Sequence, residues 1–135
     1  LCSEITLPTG IDNEGNQIGL SPHFKVPPSF RNALVQSIAG GNTMVFNGAA
    51  RQLLVVAGAD VDVSSHDWWL YILVTGAGGV VKYDPVPHIL YRQHDGNLVG
   101  GNTSLRARWL RIVQLFKGRM RRWNTLHWDV LLRIR

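Results

Sequence analysis

The sequence predicts a mixed α/β (α+β) fold with few strands, and three observations support this. The chain has 135 residues, of which 45% are hydrophobic and 17% charged, so it has the composition and length to bury a core. After an opening extended segment, the periodic patterns run in the order helix, strand, helix, helix, strand, strand, helix. The last helix is long and basic, which sets it apart from the rest.

The first part of the chain predicts an extended segment, a turn and one short helix. The opening "LCSEITLPTG" has the character of the end of a buried strand. Asn and Gly at hairpin positions in "TGIDNEGNQIG" predict a turn, and the prolines of "SPHFKVPPSF" exclude a long helix. Ser29 follows Pro28 as the N-cap of a short helix, "FRNALVQSI".

The middle of the chain predicts a short strand and two helices. A glycine pair opens the strand "GGNTMVFN". Residues 48–59 predict a helix that ends at Gly58, and "HDWWLYILVTG" predicts a second helix with Ser65 as its cap and Gly76 near its end.

The remaining segments predict two strands, a loop and a long helix. The strands are "GVVKYD" and "HILYRQH", joined across "PVP", because proline cannot donate to a central ladder. The loop is "DGNLVGGNTS". In the final helix the apolar residues step by threes and fours and share one face: Leu105, Trp109, Ile112, Phe116, Met120, Trp123, His127, Val130 and Ile134.

Positive charge is concentrated in this tail. From Ser104 onward there are nine Lys or Arg against one acid, Asp129, whereas residues 1–103 hold five basic and eight acidic residues. Three interpretations stay open: a core-facing helix with a solvated basic back, a helix on an anionic membrane surface, or a nucleic-acid contact. Since no nucleic-acid-binding motif accompanies the charge, no nucleic-acid partner is expected.

Several classes of protein are excluded by composition. Cys2 is the only cysteine, so a disulfide framework and a cysteine-based zinc site are excluded, and a reducing compartment fits best. No apolar run is long enough to predict a transmembrane helix. Leu1 is not a start methionine and no signal-peptide pattern follows it, so we expect this chain to be the later part of a longer protein.

The segment "SHDWW" combines an acid with two tryptophans at a helix start. At the second helical position the carboxylate of Asp67 faces free backbone N–H groups, which keep it ionised. That geometry serves a helix cap, and it also serves a general base. Trp68 and Trp69 point about 100° apart on a helix, so both cannot face one core, and one is expected at the edge of a cleft.

Two further segments carry groups suited to a ligand. "GGN" at 40–42 is either a plain loop before a strand or a bare backbone that a ligand approaches closely beside the amide of Asn42. "YRQHDGN" at 91–97 places Arg92, His94 and Asn97 at a strand end. Arginine binds phosphate as a fork, and histidine either ligates a divalent metal or stays a plain surface residue.

Taken in order, "SFRNALVQSIAGGNTMVFN", "SHDWWLYILVTGAGG" and "YDPVPHILYRQHDGNLVG" resemble the C-terminal half of a family-two glycosyltransferase, of the rhamnosyltransferase-like bacterial kind. The resemblance covers roughly residues 1–103 and implies the acceptor-side half of a GT-A fold. It implies that Asp67 is the base that deprotonates the acceptor hydroxyl. It also implies sugar contacts from Gly40, Gly41, Asn42, His66, Trp68 and Trp69, diphosphate contacts from Arg92 and Asn97, and a metal contact from His94.

The family's nucleotide-binding half and its Asp-x-Asp metal motif are missing from this sequence, since "DVD" at 60–62 falls between two helices. We therefore expect a fragment, inactive alone, with residues 1–103 on the acceptor side and 104–135 as a basic amphipathic tail. A nucleotide-sugar donor, a glycan or lipid-linked acceptor of bacterial surface polysaccharide, and Mg²⁺ or Mn²⁺ held mainly by the missing half are implied.

The expected location is cytoplasmic or peripheral at the inner face of the membrane, and both a monomer and a homo-oligomer stay open. The alternative function is a non-catalytic carbohydrate-binding or membrane-docking module.

Overall fold

The computed structural model describes residues 2–20, 23–38, 40–63, 65–92, 125 and 127–132. Within these residues the fold is mixed α/β, as predicted, with one four-stranded sheet. The central strand, β1, spans Cys2–Ile11. Its neighbours are β2 (Gln17–Leu20), β3 (Met44–Phe46) and β4 (Val80–Arg92).

β1 pairs with other strands on both of its sides. β4 runs parallel to β1 from Cys2 to Ile11, whereas β2 and β3 are antiparallel to its last and first residues respectively. Because the residues that pair with β2 or β3 also pair with β4, β2 and β3 share the edge opposite β4. The predicted turn joins β1 to β2: Asp12 Oδ1 accepts from the N–H of Asn16 at 2.8 Å, and Gly15 has φ +92°.

The prediction of two strands around "PVP" is wrong, because β4 is one strand of 13 residues. Between the pairs Thr6↔Asp84 and Pro8↔Ile89 the register shifts, since β1 advances two residues while β4 advances five. The surplus residues bulge around the two prolines, where Asp84 Oδ1 accepts from the N–H of Val86 at 2.8 Å. Pairing with β1 then resumes, so the prolines interrupt the ladder without ending the strand.

Besides a C-terminal helical segment at residues 127–132, the described part of the chain has three helices and one 3₁₀ turn beside the sheet. α1 spans Phe30–Ala33, the 3₁₀ turn Gly41–Thr43, α2 Gly48–Ala57 and α3 His66–Gly76. The predicted cap is confirmed for α1, where Ser29 Oγ accepts from the N–H of Asn32 at 3.1 Å, although this helix is shorter than predicted. Gly58 ends α2 with φ +85°, a conformation that favours glycine.

The core is centred on α3. Six consecutive residues, Trp69 to Val74, are buried, so the helix is enclosed on all sides rather than on one stripe. Ile5 and Val81 reach it from the sheet, and Ala33 from α1. Each large apolar side chain that is fully buried contributes about 1.5–3 kcal/mol, so this arrangement holds α3 firmly.

The C-terminal helical segment, residues 127–132, packs on the same core. His127 and Leu131 are buried one turn apart, while Trp128 and Leu132 are exposed. For this segment the core-facing interpretation of the tail therefore holds, and the residues of the predicted stripe from Leu105 to Trp123 lie outside the described part. Within the described residues no helix is long and apolar enough to cross a membrane.

Candidate functional site

Two motifs that are far apart in sequence meet at one hydrogen bond. The N–H of Gly41 donates to Asp67 Oδ2 at 3.0 Å, across 26 residues of chain. The glycine loop before β3 thus lies against the first turn of α3. The "GGN" and "SHDWW" segments, which the sequence could only treat separately, form a single site.

Asp67 is the second residue of α3, and its carboxylate also serves the helix. Oδ1 accepts from the N–H of Trp68 at 2.8 Å, while Ser65, at the N-cap position, makes no side-chain capping bond. Each carboxylate oxygen thus has one backbone donor, which fixes the orientation of the group. Since a carboxylate accepts about four hydrogen bonds and Asp67 is only half-buried, it retains lone pairs that solvent or a ligand can reach.

The glycine loop is built for close approach. Gly40 O accepts from both the N–H and the Oγ1 of Thr43, at 2.8 and 2.9 Å, which closes the 3₁₀ turn. At Gly41 a Cβ atom would lie 2.8 Å from His66 Nε2, so the imidazole rests on bare backbone. Asn42, next in the loop, is exposed. Gly41 therefore contacts both the Asp67 carboxylate and the His66 ring, and Asn42 follows it in the loop.

The two tryptophans diverge as the helical spacing requires. Trp68 is half-buried and its Nε1–H donates to Ala33 O at 2.7 Å, which ties α3 to α1. Trp69 is 4% exposed and stacks on His127, with ring centroids 4.7 Å apart and an interplanar angle of 29°. Trp68 is thus the tryptophan that lies at an edge, and Trp69 is a packing residue of the core.

A hydrogen-bond network behind the site was not predicted. The Tyr71 hydroxyl accepts from the N–H of Ser29 at 3.0 Å and lies 2.9 Å from Asn32 Oδ1, to which it donates. Burial raises the pKa of Tyr71 above its ordinary 10.0, and the Ser29 N–H opposes this in part. Tyr71 is one turn after Asp67, so the network fixes the same helix that carries the acid. Its partners are 39 and 42 residues away, and no local pattern signals them.

Of the residues predicted for the diphosphate and the metal, only Arg92 lies in the part of the chain that the structure describes. The guanidinium of Arg92 donates to Asn13 O in the β1–β2 turn. His94 and Asn97 lie outside the described residues. In the described part of the chain no three His, Cys, Asp or Glu side chains are grouped as a metal site requires.

An open apolar groove lies elsewhere, on β3 and α2. It contains none of the predicted site residues, and its lining is Phe46, Arg51, Leu54, Val55, Gly58 and Ala59.

Comparison with known proteins supports a glycosyltransferase-like relationship. The chain is 39% identical over 51 residues to the dTDP-rhamnosyl transferase RfbG of Shigella flexneri. The match covers 38% of this chain and spans 18% of the length of that protein. No protein-family model matches the chain, and no solved structure matches it significantly.

Proposed function

We propose that this chain forms the acceptor side of an inverting, family-two glycosyltransferase of the GT-A fold, with Asp67 as the general base. The observation that carries the proposal is the hydrogen bond from the Gly41 N–H to Asp67 Oδ2, 3.0 Å long, which assembles the two motifs into one half-exposed site. The 51-residue similarity to a rhamnosyltransferase supports the same reaction class.

The proposed step is a single displacement. Asp67 accepts the proton of an acceptor hydroxyl while the hydroxyl oxygen attacks the anomeric carbon of the donor sugar. The bond from that carbon to the diphosphate oxygen breaks, and the nucleoside diphosphate leaves with the electron pair. Because attack and departure are on opposite faces, the configuration of the anomeric carbon inverts. The proton then passes from Asp67 to solvent through its exposed side.

The neighbouring residues have supporting roles in this proposal. Gly40, Gly41 and Asn42 line the sugar-binding edge with backbone and amide groups, and His66 borders it from the helix. Trp68 offers the indole nearest to that edge, whereas Trp69 holds the helix from behind. This division follows from burial, since Trp69 is enclosed and Trp68 is half-exposed.

The donor nucleotide and a divalent metal, Mg²⁺ or Mn²⁺, are proposed to bind mainly outside this chain. The described residues do not fit a metal site of their own, since they contain no group of three metal-ligating side chains. Contacts from Arg92, His94 and Asn97 to the diphosphate or the metal remain proposals. The donor is a nucleotide sugar, such as dTDP-rhamnose, and the acceptor a glycan or lipid-linked sugar.

The test is release of nucleoside diphosphate from a panel of dTDP-, UDP- and GDP-sugars with Mg²⁺ or Mn²⁺ and lipid-linked acceptors. We expect acceptor-dependent release by the protein expressed from the whole reading frame, and none by the 135-residue chain alone. Turnover by the chain alone at an ordinary enzyme rate would contradict the acceptor-side proposal. Sugar binding by the whole protein without any release would instead favour a carbohydrate-binding module.

A further inference from the structure

His127 is a buried histidine without a polar partner. It is 3% exposed, and neither of its ring nitrogens has a hydrogen-bond partner among the described residues. Its ring face stacks on Trp69 at 4.7 Å. An imidazole in this position is held as a flat apolar surface, and a proton added to it would place an unpaired charge in the core.

A second contact joins the same helix to α3. Leu131, one turn after His127, lies over Gly76, where a Cβ atom would be 2.9 Å from Leu131 Cδ2. Trp69 and Gly76 are seven residues apart on α3 and so lie on one face. The C-terminal segment therefore contacts α3 at two places, the first turn of α3 and the last residue of α3.

The first of these contacts is close to the proposed base. Trp69 follows Asp67 by two residues, and its N–H makes the first hydrogen bond of the helix, to Ser65 O at 3.0 Å. On the other side, the Trp68 indole is anchored to Ala33 O at 2.7 Å. The first turn of α3 is thus held by α1 through Trp68 and by the C-terminal helix through Trp69.

We propose that His127 is a positioning residue: in its uncharged form it holds Trp69, and through Trp69 it keeps Asp67 aligned with the Gly41 N–H. The placement of Asp67 follows from the structure, and only its catalytic meaning rests on the proposed function. The C-terminal helix then contributes to the site without contacting a substrate.

The charges around His127 give this contact a pH dependence. Burial lowers the pKa of His127 below its ordinary 6.5, and the negative charge of Asp62, in the connection before α3, opposes this. The titratable groups of α3 are His66, Asp67 and Tyr71, and its own helix carries the exposed Asp129. When the C-terminal helix is undocked, His127 takes up a proton near pH 6.5. When the helix is docked, His127 takes up the proton only at a lower pH. Protons therefore favour the undocked form, and docking weakens as the pH falls below about 6.5.

The experiment is an NMR titration of the full 135-residue chain between pH 8 and pH 5. The reporters are the backbone amides of Gly41 and Trp68, both of which donate to Asp67. We expect both amide signals to shift with the same midpoint as the His127 ring signals. If His127 titrates while the two amides stay in place, the proposal is overturned.

The variant His127→Phe keeps an aromatic stack and removes the titrating group. His66, whose ring rests on Gly41, is present in both proteins. Any effect of His66 on the Gly41 amide signal is therefore common to both. The shared transition of the amides should be lost in His127→Phe, and its persistence would overturn the proposal. Should that variant not fold, Leu131→Ala provides a second arm. Weaker docking lowers the cost of protonation, so the midpoint should rise toward 6.5, and an unchanged or lower midpoint contradicts the proposal.

The activity of the whole enzyme separates this inference from the proposed function. If both hold, turnover should fall more steeply between pH 7.5 and pH 5.5 in the natural sequence than in His127→Phe. An inactive protein with the expected amide transition would refute only the glycosyltransferase assignment. Activity with identical pH profiles in both proteins would refute only the positioning role.

Discussion

At the residue scale, the two backbone contacts of the Asp67 carboxylate are compatible both with helix capping and with the catalytic role proposed for this residue. The sequence left these as alternatives, and the structure gives each oxygen one backbone donor, Trp68 on Oδ1 and Gly41 on Oδ2. The first bond satisfies the helix terminus. The second fixes the acid against a loop of different origin. An acid that only capped its helix would need just the first.

Gly41→Ala tests the contact between the loop and the helix. The added methyl would lie 2.8 Å from His66 Nε2, and because His66 is exposed its ring can swing away. We expect a stability loss below about 1 kcal/mol together with a clear loss of the proposed turnover in the protein expressed from the whole reading frame, since His66 leaves the site. Gly48→Ala is the control, because its methyl meets nothing within 4 Å. Equal turnover in the two variants would contradict the assignment of Gly41 and His66 to the proposed site.

Tyr71→Phe tests the network behind Asp67. It removes the acceptor of the Ser29 N–H and the donor to Asn32 Oδ1. Leaving buried polar groups unpaired costs about 1–3 kcal/mol, so chemical denaturation should show a loss in that range. Tyr83→Phe, whose hydroxyl accepts a 3.3 Å bond from the N–H of Phe24, should lose less.

The same tyrosine predicts an alkaline transition. Unfolded Tyr71 ionises near pH 10, whereas in the fold its pKa is higher, so its contribution to stability is complete below pH 10 and is lost as the pH rises through the folded value. Denaturation midpoints at pH 8 and pH 10.5 should therefore differ less in Tyr71→Phe than in the natural sequence. A larger difference between the two midpoints in the variant would exclude Tyr71 ionisation as the cause of the alkaline loss of stability.

At the element scale, what the sequence predicts well is what local chemistry decides. Ser29 and Gly58 mark helix ends because capping and positive φ are properties of a few neighbouring residues. The prediction failed at β4. The rule that proline ends a strand considers only neighbouring residues, whereas β4 continues past "PVP" because it pairs with β1, which is distant in sequence. The Gly41–Asp67 bond and the Tyr71 network were equally out of reach, because they depend on segments brought together by the core. The motifs could thus be found from sequence, but their meeting could not.

Gly76→Ala tests whether the C-terminal segment docks on α3. Alanine in a helix is ordinarily about 1 kcal/mol more favourable than glycine. Here the methyl would press on Leu131 at 2.9 Å and on the Phe30 ring at 3.2 Å, so we expect a loss of stability instead. Leu131→Ala in the same chain should recover part of that loss. A stabilising Gly76→Ala would mean that the segment does not dock.

At the scale of the whole molecule, α3 is the axis of the fold. The sheet, α1 and the C-terminal helix surround it, and its N-terminus carries the proposed base. The most buried helix of the described fold thus carries one half-exposed acid, Asp67, at its N-terminus. For the strongly basic sequence from Ser104 onward, we propose a second role, which is contact with an anionic membrane surface.

Neutralising Arg121 and Arg122 tests that second role. Each basic residue near an anionic surface contributes about 1 kcal/mol, so replacing both by Gln should weaken binding to phosphatidylserine vesicles by roughly thirtyfold. Replacing Lys25 and Arg51, two exposed bases of the body, is the matched control and should change little. Equal effects of the two pairs in a sedimentation assay would remove the tail from membrane binding.

Asp67→Asn in the protein expressed from the whole reading frame is the most direct test of the central claim. The amide keeps the shape but cannot accept the acceptor's proton, so turnover should fall by about a hundredfold or more. One of its two backbone bonds is lost, which should cost about 1 kcal/mol and roughly 4 °C in Tm. Asp60→Asn, at an exposed acid of the loop before α3, should leave both quantities nearly unchanged. If Asp67→Asn loses the same stability but keeps most of its turnover, Asp67 only caps its helix and the proposed mechanism is wrong.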